Sequence, residues 1–64
     1  MQEILDYVQK YDCKIKKYIV RDKIVIIGVP INSKFMKNHK LLGKYLCDNL
    51  SNKYADFKFS YAYM

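Results

Sequence analysis

At 64 residues, with 52% hydrophobic and 16% aromatic side chains and only two glycines and one proline, the chain is too apolar for disorder and too short for more than one domain, residues 1–64. Twelve basic residues against six acidic ones give a net charge of +6, which favours anionic partners, and all the basic residues but Arg21 are lysine. The longest apolar run, Ile24 to Pro30, is too short to cross a membrane, and no secretory leader pattern opens the chain. The expected location is therefore the cytoplasm, with Cys13 and Cys47 as free thiols.

The first segment, Gln2 to Asp12, places Ile4, Leu5, Val8 and Tyr11 at helical spacing, with Glu3 and Asp6 in the first turn and Lys10 in the last. Two runs rich in β-branched and aromatic residues follow, Lys14 to Val20 and Lys23 to Val29, and Arg21-Asp22 between them reads as a hairpin turn. That turn lacks glycine, so a four-residue loop competes with a two-residue primed turn. The second run is apolar on both faces and suits a central strand or a dimer interface. The first alternates Lys with Ile and Tyr and is expected to be the more exposed. Pro30 ends the second strand.

Asn32 or Ser33 offers a helix cap, and from there to about Tyr54 the residues Phe35, Leu42, Tyr45, Leu46 and Leu50 recur at three- and four-residue steps. Asn38 can cap a restart, and Gly43 weakens the helix interior by about 1 kcal/mol relative to Ala. The last stretch, Asp56 to Met64, alternates with Phe57, Phe59, Tyr61 and Tyr63 on one side. The result is a small α+β domain of α-β-β-α-β order, a three-stranded sheet with both helices packed on one face. The third strand is expected beside the second, and Leu42, Leu46, Ile24, Ile26 and Phe59 are expected in the core. From Ile24 onward the order resembles a KH module in outline only, since the GxxG loop with which that module clamps a nucleic-acid backbone is absent.

Catalysis is not expected: His39 is the single histidine, no acid stands near it in sequence, and Ser33, Ser51 and Ser60 lie in no nucleophile motif. The six carboxylates form no DxD cluster, the cysteines form no CxxC pair, and Gly28 and Gly43 make no phosphate loop, so neither a metal nor a cofactor is expected. The lysines are better organised. Lys34, Lys37, Lys40 and Lys44 align along one side of the second helix, while Lys14, Lys16, Lys17, Arg21 and Lys23 gather on the hairpin and Lys58 on the last strand. Such ridges neutralise phosphates, although a solvated helix face needs no ligand. Tyr61 and Tyr63 suit base stacking or a protein interface.

Two readings result. One is a nucleic-acid-binding module acting through the lysine ridge and the aromatic strand. The other is a small inhibitor or adaptor, of the kind phages and other mobile elements encode, that docks on an acidic or nucleic-acid-like surface of a host protein. The doubly apolar second strand adds an expectation of homodimerisation.

Overall fold

The computed structural model describes residues 1–31 and 38–64. It contains α1 (Gln2–Gln9), β1 (Lys14–Ile19), β2 (Ile24–Val29), α2 (His39–Lys53) and β3 (Lys58–Tyr63), and the sheet order is β1-β2-β3. β1 and β2 form the expected hairpin, and β3 lies parallel to β2, which makes β2 the central strand. The α+β class and the α-β-β-α-β order are those the residue pattern predicts. No helix among the described residues is long and apolar enough to cross a membrane.

Each boundary has a local cause. α1 ends in a Schellman motif: the Cys13 amide donates to the Val8 carbonyl at 3.1 Å, the Asp12 amide to that of Gln9 at 3.1 Å, and Asp12 takes the left-handed φ of 62°. Cys13 and Val8, the two positions this motif brings together, are both buried in the core cluster. The hairpin uses four connecting residues, Val20 to Lys23, closed by the Lys23 amide donating to the Val20 carbonyl at 3.3 Å, with Lys23 left-handed at φ 54°. Asn38 starts α2, its side chain accepting from the Lys40 amide at 2.9 Å. The earlier start expected at Asn32 or Ser33, and Phe35 with it, lie outside the described residues.

The core is the layer between the helices and one face of the sheet. It contains Ile4 and Val8 of α1, Val25, Ile27 and Val29 of β2, and Leu42, Leu46 and Leu50 of α2, with both cysteines alongside. Here the expected core needs correction. Leu42 and Leu46 are buried, but Ile24 and Ile26 are only half-buried, and so is Phe59 at the periphery. A strand apolar on both faces carries no pattern that tells which face the helices cover, and side-chain alternation puts Val25, Ile27 and Val29 inward and Ile24 and Ile26 outward.

The two helices meet along a polar and aromatic seam over the same face. Tyr7 and Tyr11 stack edge to face at 5.5 Å, Tyr11 and Tyr45 at 6.1 Å, and Asn49 donates to the Tyr7 hydroxyl at 3.1 Å. Burial, reinforced by the Tyr45 hydroxyl, pushes the Tyr11 phenol up to about 12. At the other end the Tyr54 hydroxyl donates to the Glu3 carboxylate at 2.8 Å, a bond that raises the Tyr54 pKa.

Candidate functional site

Among the described residues neither helix covers the second face of the sheet, and the strand register spells out its surface. Gly28 lies between Lys14 and Ala62, Ile26 between Lys17 and Ser60, and Ile24 between Ile19 and Lys58. Paired residues share a face, so these nine positions form one grid, opposite the grid of Ile15, Tyr18, Val25, Ile27, Phe59 and Tyr61 that meets the core.

A β-bulge sets the charge of this face. The register shifts between Ile15 and Lys17, so that Lys16 and Lys17 together oppose Ile26. Strict alternation would have carried Lys17 onto the helix-covered face with Ile15. The bulge turns it outward, turns Tyr18 inward to pack with Phe57, and so collects Lys14, Lys16 and Lys17 on the bare face. Their stems lie across it. The Lys14 aliphatic chain covers Gly28, with its Cγ 3.2 Å from where a Cβ would stand, and Lys16 Nζ donates to the Tyr63 carbonyl at 2.7 Å.

The three strands read KIKKYI, IVIIGV and KFSYAY. Their only charged residues are therefore Lys14, Lys16, Lys17 and Lys58, all exposed, all on the bare face and with no carboxylate among them. Between them runs a half-buried aliphatic row, Ile19, Ile24 and Ile26. The arrangement can attract anionic groups at its margins and bury apolar groups at its centre.

The other expected site residues are distributed differently. Arg21 is exposed in the hairpin turn. Lys40 and Lys44 are exposed on α2, and the helical period puts them on the flank beside Gly43, away from the flank where Tyr45 and Asn49 meet α1. Lys34 and Lys37, the other half of that ridge, lie outside the described residues. Tyr61 is on the helix-covered side, its ring against Gly43, and remains 37% exposed at the sheet edge; Tyr63, 51% exposed, follows at the chain end. The structure thus joins Lys16 and Lys17 with Lys14 and Lys58, and separates these lysines from the rings of β3 by the thickness of the sheet. The legible signal for the bulge was the Lys16-Lys17 doublet, which breaks an otherwise regular alternation between Ile15 and Tyr18.

Among the described residues no group of three or more His, Cys, Asp or Glu side chains is placed to hold a metal ion. Burial pushes both thiols, Cys13 and Cys47, up to about 11, with Asp12 and Asp48 adding to the shift, and each stands as a free cysteine in the core. Comparison with protein-family models, with curated proteins and with solved structures finds no match to this chain.

Proposed function

We propose that this chain is a small, non-catalytic docking protein that binds an acidic surface of another protein through the bare face of its sheet, in the manner of an inhibitor or adaptor. One observation carries the reading: every charged residue of the sheet is a lysine on the uncovered face, arranged around an aliphatic row. Lysines alone would suit any polyanion. The isoleucines favour a protein, because phosphates offer them nothing to pack against and the aromatic rings that stack on bases lie on the opposite face. Net charge +6 steers the acidic partner in.

A second reading, a nucleic acid held through its phosphates, is favoured by Lys40 and Lys44 on α2, part of the basic ridge read from helical spacing. Affinity capture with and without nuclease separates the two. The wild-type chain is expected to retain a protein partner after nuclease treatment, and the triple variant Lys14→Glu, Lys17→Glu, Lys58→Glu is expected to lose it. Recovery that disappears with nuclease and survives the triple variant would replace the first reading with the second.

A further inference from the structure

Resting on the docking reading above, we infer that the occupant of the bare sheet face is a single amphipathic α-helix of the partner, laid across β2 with its apolar stripe on Ile24 and Ile26 and acidic side chains on both flanks of that stripe. Three observations converge on it.

The first is architectural. Among the described residues the sheet has a helical layer on one side only, and neighbouring strands about 4.8 Å apart make a three-stranded face about 10 Å across, the width of one helix with its side chains. A foreign helix completes a three-layer sandwich of a common kind.

The second is the distribution of charge around the apolar centre. Lys17 stands on the β1 side of Ile26 and Lys58 on the β3 side of Ile24, while Lys16 reaches across the sheet to set its Nζ on the Tyr63 carbonyl of β3, so cationic groups border the isoleucines on both margins. Ser60 and Ala62 complete the β3 margin with small side chains. An amphipathic helix with Asp or Glu on both sides of its apolar stripe matches this border, whereas a uniformly polyanionic ligand leaves the isoleucines without an apolar partner.

The third concerns a second copy of the chain. Stacking two bare faces brings four lysines of one copy against four of the other in a partly desolvated interface, where like charges repel strongly. The same charges that reject self-association through this face attract an acidic helix.

The experiment is a selection on the full chain at about 150 mM salt, using two displayed peptide libraries: one on a single-helix scaffold with randomised surface positions, the other of unstructured linear peptides. Binders are expected from the helical library, with apolar residues at i, i+3, i+4 and i+7 and Asp or Glu beside them. The triple lysine-to-glutamate variant and, separately, Ile26→Ser are each expected to weaken these binders at least about tenfold, with circular dichroism showing that both variants keep the fold. Acidic binders from the linear library alone, still sensitive to the triple variant, would overturn the helix and leave the docking reading standing. Binders indifferent to the triple variant, or none from either library, would overturn both. A short DNA duplex or single-stranded RNA that competes for the same face more tightly than the selected helices, or a dimer in sedimentation that Ile26→Ser abolishes, would also overturn the inference, by naming nucleic acid or a second copy as the occupant.

Discussion

Gly43 of α2 rests against the ring of Tyr61 of β3 so closely that a Cβ at position 43 would collide with it, the ring's Cδ2 lying 2.9 Å from where that atom would stand. The glycine that weakens the helix by its propensity is therefore what lets α2 lie down on β3. Gly43→Ala gains about 1 kcal/mol of helix propensity but displaces a packed ring, an overpacking that costs about 1–3 kcal/mol. A net loss of stability in denaturant titration is expected. In a Tyr61→Ala background the same change should stabilise by about 1 kcal/mol. A Gly43→Ala chain more stable than wild type with Tyr61 in place would contradict the contact.

The inward face of β2 is tested by neighbouring isoleucines. Ile27 is fully buried, and Ile27→Ala should cost about 2–5 kcal/mol, as should Leu46→Ala, enough to unfold a domain this small. Ile26 is half-buried on the bare face, so Ile26→Ala forfeits only part of the ~1.5–3 kcal/mol of a full burial. Equal losses at 26 and 27 would reverse or erase the face assignment.

Those two residues also mark where the sequence is legible and where it is not. The hairpin, the central place of β2 and the Asn38 cap of α2 follow from local chemistry: β-branched runs, a doubly apolar strand, a side chain able to cap. The inward face of Ile24 to Val29 does not, because a strand apolar on both sides looks the same under a one-residue shift. The lysine face was half legible. The charges are plain in the sequence, but their gathering on one side depends on the bulge at Lys16 and Lys17, a register event that alternation alone does not specify. The aromatic alternation of Phe57 to Tyr63 was correctly periodic, yet period does not say which side of the strand the lysines of β1 share.

Lys23 holds a left-handed backbone that glycine adopts without the ~1–2 kcal/mol an ordinary side chain incurs there. Lys23→Gly should raise stability by about 0.5–1 kcal/mol after the greater freedom of glycine in the unfolded chain is subtracted. The check is a thermal melt beside Val20→Gly, at the start of the same turn and not among the positive-φ residues, which should gain nothing.

The buried thiols give a pH dependence with a definite sign. In the unfolded chain they ionise near 9, whereas in the fold both are pushed up to about 11, so between these values the folded chain binds more protons than the unfolded one. Stability contributed by the cysteines is thus fully present below about pH 9 and falls as pH rises toward 11. A Cys13→Ala, Cys47→Ala chain should lose less stability over that interval. At neutral pH a thiol reagent should label the native chain slowly and the unfolded chain fast, and rapid stoichiometric labelling of the native chain would show that these groups are not buried.

The most direct measurement of the central claim, that the bare lysine face is the docking surface, is an amide shift map of the isotope-labelled chain titrated with poly-L-glutamate as an acidic probe at low salt. The largest shifts are expected at Lys14, Lys16, Lys17, Ile24, Ile26 and Lys58, fading as salt is raised through about 0.15 M and vanishing in the Lys14→Glu, Lys17→Glu, Lys58→Glu variant. Shifts centred on Lys40 and Lys44 that persist in that variant would contradict the claim and place the anionic partner on α2.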